Sequence, residues 1–265
     1  METRDRNSLV SIIIPAHNAV AYIHEALDSV LNQTYPDIEI IVVNDGSTDE
    51  TESVVQEYVA RFPNKVRLYS QKNKGQASAR NVGIRNSYGA YIAFLDADDT
   101  WMSEKLEQQM RILKMSGADI CYANTLFLGG ERNGHAMFEY VQPYAGHVFH
   151  KLIKENFIVN SSVVVKCEVI HAVGLLNERP MYRNIEDYDC WLRIALAGYS
   201  FSYIKTPLVQ YRIHDFQHTK TRGNNWSSLA RMYMRYFFNP RVWALGETKT
   251  VARMLMICFK NILGV

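Results

Sequence analysis

No Cys-x-x-Cys pair occurs in the 265 residues: Cys121, Cys167, Cys190 and Cys258 stand far apart. That spacing argues against a disulfide framework or a zinc site and reads as four thiols kept in a reducing compartment. Long apolar runs are lacking too, since none approaches the ~20 residues that a membrane-spanning helix needs. Met1 to Ser8 is polar and charged, unlike a secretory leader, so the expected location is the cytoplasm. Internal repeats, low-complexity tracts and flexible linkers are absent. Two glycine signatures are also missing. No Gly-x-Gly-x-x-Gly follows the first apolar segment and no Gly-x-x-x-x-Gly-Lys-Ser/Thr occurs anywhere, so a dinucleotide fold and a P-loop lose their usual supports.

What is present is ordinary in amount and uneven in arrangement. Hydrophobic residues make up 48% and charged residues 21%, a globular composition of a length suited to one large domain or a domain with an appendage. Net charge is +2, yet Lys220–Val265 holds eight Lys or Arg against the single acid Glu247, so that segment carries +7 and the remainder −5. Such asymmetry points to an anionic partner surface.

The first half alternates short apolar runs with helical spacing. Leu9–Ile14, Ile38–Val43, Val66–Tyr69 and Tyr91–Leu95 read as buried strands. Between them, Ile23 to Leu31, Asp49 to Phe62 and Gly75 to Ser87 read as helices. This alternation predicts an α/β fold with a mainly parallel central sheet flanked by helices. Ligands in such sheets collect at the carboxyl ends of the strands, which brings Pro15–Asn18, Asn44–Thr48 and Asp96–Asp99 to one rim. Further along, Trp101–Lys114 reads as a helix with Asp99 or Thr100 as its N-cap, and Leu128–Gln142 as loop or hairpin. Ser161–Val165, Phe201–Ile204 and Leu208–Ile213 read as strands. A helix is expected from Glu186 to Tyr199, and helical character from Asn225 onward, interrupted at Asn239-Pro240.

Asp96-Ala97-Asp98-Asp99 follows the fourth strand directly. Three carboxylates within four residues repel one another, and a divalent cation held by oxygen ligands offsets that cost. Mg²⁺ or Mn²⁺ takes one or two protein carboxylates and leaves its other positions to water and phosphate. The bland reading, a solvated turn with a helix cap, suits Asp99 best; Asp96 and Asp98 are read as metal and donor residues.

Five segments together carry a resemblance. Val10–Asn18 (VSIIIPAHN), Val42–Thr51 (VVNDGSTDET), Asn73–Gly83 (NKGQASARNVG), Phe94–Asp99 (FLDADD) and Glu186–Arg193 (EDYDCWLR) are similar, in that order, to motifs of the family 2 glycosyltransferases of the GT-A fold. They span most of residues 9–214. The resemblance implies a nucleotide-sugar donor, a divalent cation and inversion at the anomeric carbon. It places Asp45 on the nucleobase, with Pro15, Ala16, His17 and Asn18 lining the same pocket. Gly75 and Ala97 lie in donor-binding motifs, Asp96 would face the ribose or donor sugar, and Asp98 would ligate the metal. Asp187 would be the general base, with Glu186 beside it. His214 would add a metal contact, an imidazole suiting Mn²⁺ better than Mg²⁺.

Each role has a structural competitor. Asp45 also suits an Asx-turn, Arg80 is either a pyrophosphate contact or a surface arginine, and His214 is otherwise a loop residue. Acids in a first helical turn stabilise the helix dipole, with Asn184 available as the cap. Many relatives carry two acids before the glycine at 46, where this chain has Asn44-Asp45.

The expected organisation is a GT-A catalytic domain over 1–219, with a donor half near 9–123 and an acceptor half near 124–219, and a basic, aromatic-rich helical extension over 220–265. The acceptor would be a glycan or lipid-linked glycan, with no nucleic acid partner. The extension suits peripheral contact with an anionic membrane, on its cytoplasmic face, or packing against the domain or a second subunit. Two other functions compete. A sugar nucleotidyltransferase usually has a glycine-rich basic loop where this chain has Pro15–Asn18. A non-catalytic nucleotide-sugar-binding protein is expected to have lost Asp98 or Asp187, and both are present.

Overall fold

The computed structural model describes residues 7–214 and 225–263. Strand β1 (Val10–Ala16) is apolar apart from Ser11 and buried along its whole length, the behaviour of a strand covered on both faces. The chain continues through α1 (Ile23–Leu31), β2 (Ile38–Asp45), α2 (Thr51–Arg61), β3 (Val66–Gln71), α3 (Gln76–Arg85) and β4 (Tyr91–Phe94). These four strands lie side by side in the order β3-β2-β1-β4, all parallel. Alternation along β1 sends its side chains to two different cores. Ile12 and Ile14 pack with Ile23, Leu27 and Val30 of α1 and Val55 of α2, whereas Ile13 joins Ile84 of α3 in the other core. A Cβ on Gly83 would stand 2.5 Å from Ile13 Cγ2, so glycine is what lets α3 lie this close to β1.

Beyond β4 come β5 (Thr100–Trp101), α4 (Lys105–Ser116), β6 (Ile120–Leu128), α5 (Phe149–Leu152), β7 (Val164–Lys166), α6 (Cys167–Ala172), α7 (Glu186–Leu196) and β8 (Phe201–Arg212). They extend the sheet to eight strands, ordered β3-β2-β1-β4-β7-β6-β8-β5. β7 is antiparallel to both β4 and β6, β6 and β8 are parallel, and β5 closes the edge antiparallel to β8. The sheet is thus parallel in its first half and mixed in its second.

Several expectations need correction here. Trp101 is a strand residue, paired with Val209, and its indole N–H donates to Ser161 O at 2.8 Å; the helix begins only at Lys105, with Glu104 in the N-cap position. Neither Asp99 nor Thr100 caps it. Residues 160–162 form a 3₁₀ turn and β7 starts later, at Val164. The strands expected at 201–204 and 208–213 are one strand, β8. Its interruption at Lys205-Thr206-Pro207 is a bulge opposite Asn124, where the β6 register shifts and Asn124 Nδ2 donates to Lys205 O. β6 itself carried no sequence expectation, and the division drawn at 123/124 falls inside it, within one continuous sheet.

The tail folds as α8 (Trp226–Phe237), α9 (Pro240–Ala244) and α10 (Thr248–Leu263). The break falls at Asn239-Pro240, as expected. Asn239 Oδ1 accepts from Arg241 N at 3.0 Å and Pro240 occupies the first turn of α9, a cap and a preset φ in succession. Tyr233, Tyr236, Leu255 and Cys258 share a core with Trp191 of α7, so the tail is packed onto the same body. The boundary drawn at 219/220 lies outside the described residues.

Candidate active site

Because β1, β2 and β4 run parallel, the segments that follow them emerge on one rim. There they border a cleft of about 710 Å³. Every site residue expected from the sequence lines it: Pro15 and Ala16 at the end of β1 with His17 and Asn18 just after it, Asp45 at the end of β2, and Gly75 and Arg80 at α3. Asp96, Ala97 and Asp98 follow β4, Glu186 and Asp187 open α7, and His214 follows β8.

Asp45 is already engaged by its own chain. Oδ1 accepts from Gln71 Nε2 at 2.7 Å and from Lys74 N at 2.8 Å, and Oδ2 from Gly75 N at 2.8 Å. The carboxylate therefore pins the 71–75 loop against the end of β2. Gly46 makes the turn beside it with φ +68°, where an added Cβ would meet Asn73 N at 2.8 Å. Asn44 supports the same turn, accepting from Ser47 N and donating to Glu52. Its amide supports the turn without adding a second charge next to Asp45.

The acidic cluster divides by partner. Asp99 is buried and accepts from Ser161 Oγ at 2.5 Å and Arg212 N at 2.9 Å. Burial, with the charges of Asp98 and Asp96, pushes its carboxyl well above the usual range. Asp99 thus locks β8 to the loop after β4. Asp96 accepts from Arg80 and from Asn160 Nδ2 at 3.1 Å. Asp98 Oδ2 meets His214 Nε2 at 3.0 Å, and its carboxyl is raised by burial and by Asp96. Tyr22 stacks on His214 with ring centroids 5.0 Å apart, while His214 Nδ1 is buried without a hydrogen-bond partner.

Arg80 connects this cluster to α7. Its side chain is buried, and it donates to Asp96 Oδ1 at 2.7 Å and to Glu186 Oε1 at 2.9 Å. Arg80 is therefore not a surface arginine. The flanking charges hold the guanidinium firmly protonated. Glu186 lies behind Arg80 with Oε2 unpartnered. Asp187, one residue on, lines the cleft. Burial first, and then the adjacent Glu186 charge, raise its carboxyl to about 7. Asn184 does not cap the helix: Ile185 holds the N-cap position, and Asn184 makes the preceding turn with φ +65°.

Comparison with known proteins now decides the family. A family model described as "Glycosyl transferase family 2" matches residues 11–174, more than half of the chain. The chain belongs to glycosyl transferase family 2. An uncharacterised glycosyltransferase of Rickettsia typhi is 35% identical over 234 residues, covering 84% of this chain and 70% of that protein. A putative teichuronic acid biosynthesis glycosyltransferase of Bacillus subtilis is 27% identical over 86% of this chain and 87% of its own. Other rickettsial relatives are longer, the chain spanning 31% to 36% of three of them. Among solved structures, TarS residues 1–349 of S. aureus in complex with UDP-GlcNAc superposes with a TM-score of 0.73 at 17% identity, over 96% of this chain and 72% of that one. A mannosyltransferase of Pyrobaculum calidifontis in complex with GDP-Man and Mn²⁺ gives 0.69 at 18%, over 96% and 74%. At those identities the likeness is one of fold, and the fold is GT-A.

Some of the site carried no motif. Asn160 and Ser161 order the acidic cluster from a 3₁₀ turn, and residues 177–180, 183 and 184 also line the cleft. Their signal in the sequence is only a run of Asn, Pro and charged residues. Nothing there indicates which strand end they approach.

Proposed function

We propose that this family 2 chain is an inverting glycosyltransferase. It moves a sugar from a nucleoside-diphosphate sugar, a UDP-sugar foremost, to a hydroxyl of a glycan or lipid-linked glycan acceptor, in making a cell-surface polysaccharide or glycoconjugate. The observation that carries this reading is the convergence, in one cleft, of the Asp98–His214 pair with Asp187, while buried Arg80 ties their neighbours Asp96 and Glu186 together.

Asp98 and His214 fit a divalent cation. A carboxylate oxygen and an imidazole nitrogen converge at the cleft, a donor set suited to Mn²⁺ and acceptable to Mg²⁺. Among the described residues no group of three or more His, Cys, Asp or Glu could hold a metal ion alone, which suits an ion whose other ligands are water and phosphate. When bound, such an ion offsets the charge that builds on the departing diphosphate. The chain's own residues do the rest. The 15–18 and 73–75 loops, held by Asp45, receive the base, and Asp96 faces the ribose or donor sugar. Arg80 keeps Asp96 and Glu186 in place.

Asp187 takes the proton from the acceptor hydroxyl as its oxygen bonds to the anomeric carbon. The bond from that carbon to the diphosphate breaks with its electron pair leaving on the nucleotide, and one displacement inverts the centre. A carboxyl near 7 is well matched to a general base at neutral pH. Glu186, tied to Arg80, contributes charge beside Asp187 rather than taking the proton.

The test compares Asp98→Asn with Asp187→Asn. Both are expected to stop transfer, but UDP titration by calorimetry with Mn²⁺ present should show weakened binding for the Asp98 variant and near-normal binding for the Asp187 variant. Normal UDP affinity in Asp98→Asn would remove the donor-site assignment.

A further inference from the structure

We propose that the outward faces of α8, α9 and α10 form a docking surface for an anionic lipid bilayer. The inner faces of these helices are already satisfied. Tyr233 Oη lies 3.2 Å from Tyr188 Oη, Tyr236 Oη donates to Asp189 O, and Val251, Leu255 and Cys258 are buried. Yet among the described residues eight of the twelve exposed large hydrophobic side chains lie between Met234 and Leu263. They include Phe238 at 63% exposure, Trp243 at 53%, Met256 at 59% and Leu263 at 73%. Folding does not call for them there, and apolar side chains gathered in one surface segment mark an interaction site.

On α10 the spacing is regular. Arg253, Met256, Phe259, Lys260 and Leu263 follow one another at intervals that place them along one side of the helix. Arg231, Arg235, Arg241, Lys249, Arg253 and Lys260 face one acid, Glu247, between Trp226 and Leu263, a net +5. Apolar and aromatic residues interleaved with cations are the composition of a helix that lies in the headgroup region. No described helix is long and apolar enough to cross a membrane, so contact would be peripheral. Charge also selects the occupant. A second copy meeting this face through a two-fold axis would set +5 against +5 with one acid on each side to compensate, whereas an anionic bilayer complements it.

The surface is separate from the cleft residues, so its test does not depend on the transferase reading. It is nonetheless close to them: α8 packs against the 180–182 turn, with Arg235 beside Tyr182, and Pro180 and Arg183 line the cleft. A bilayer held by α8 would lie one helix away from the cleft wall.

The experiment is co-sedimentation of the full chain with phosphatidylcholine vesicles and with phosphatidylcholine–phosphatidylglycerol vesicles, at low and high salt. Binding is expected for the anionic vesicles alone and should weaken with salt. Each basic residue at such a surface adds about 1 kcal/mol, or about five-fold in partitioning. The triple variant Lys249→Gln, Arg253→Gln, Lys260→Gln should therefore bind roughly 100-fold more weakly. Trp243→Ser with Phe259→Ser should also reduce binding. All five side chains are exposed, so circular dichroism and Tm should match the parent and separate lost docking from lost fold. Equal binding to both vesicle types, or none to either, would overturn the proposal. So would self-association that disappears in Trp243→Ser/Phe259→Ser while vesicle binding is absent, because the face would then belong to a second copy.

Discussion

Arg80 donates to Asp96, 16 residues away, and to Glu186, 106 residues away, from a side chain that is almost fully buried. Removing it strands two carboxylates in a poorly solvated site, a change that costs about 3–5 kcal/mol when a buried pair loses one partner. Arg80→Leu should therefore lower unfolding stability by that order in urea titrations, and abolish turnover as well. Asp187 behaves differently. Its carboxyl is raised from 3.8 to about 7, so the folded chain holds that proton more tightly than the unfolded chain. The resulting cost is absent below the ordinary carboxylate range, grows as pH rises towards 7, and is constant above it. Asp187→Asn should match the parent near pH 3.5 and be more stable at pH 8, by no more than about 4 kcal/mol. In the parent, kcat/KM should climb through an acidic limb near 7, and Glu186→Gln should move that limb lower by removing the neighbouring charge. A limb unmoved in Glu186→Gln would contradict this account of Asp187.

At this scale the motif residues were legible because strand ends in a parallel sheet share a rim. What each touches was not. Arg80 read equally well as a surface residue because both of its partners lie far off in sequence. Asp99 read as a cap because its real partners, Ser161 and Arg212, are brought in by strands β7 and β8.

Among the elements, α3 and β1 meet at a contact that only glycine permits. Gly83→Ala puts a methyl 2.5 Å from Ile13 Cγ2 in a packed core, and overpacking of this kind costs about 1–3 kcal/mol. The loss should appear in denaturant midpoints with the m-value unchanged. At the start of α9, Asn239→Ala removes the side-chain cap on Arg241 N, worth about 1 kcal/mol, read as a fall in Tm. The long, fully buried and largely apolar strands β1 and β2 and the periodic helices α1, α2 and α7 could be read from pattern alone. β5, two residues long, is too short for a period to show, and the strand read at 161–165 overlaps the three-residue β7 only at Val164 and Val165. β8 looked like two strands because its bulge contains Pro207, a residue that normally ends pairing. The break before α9 was readable because Asn-Pro is local chemistry.

Across the whole molecule, a parallel half and a mixed half share one sheet, and the cleft lies where residues from both converge. Asp45, Asp96 and Asp98 come from the parallel half, and Asp187 and His214 from the other. The alternation of strands and helices made the first half legible. The second half pairs β7 with β4 and β5 with β8 across wide sequence separations, which no local pattern encodes. The central claim is that this assembled cleft transfers sugar from a nucleotide with a divalent cation held at Asp98 and His214. The most direct measurement is release of nucleoside diphosphate from a panel of UDP-, TDP- and GDP-sugars, with Mn²⁺, Mg²⁺ or chelator, in the parent and in Asp98→Asn. The account predicts release from at least one donor, UDP-sugars foremost, that requires the cation and is lost in the variant. Cation-dependent release at the parent's rate in Asp98→Asn, or no release from any donor, would contradict it.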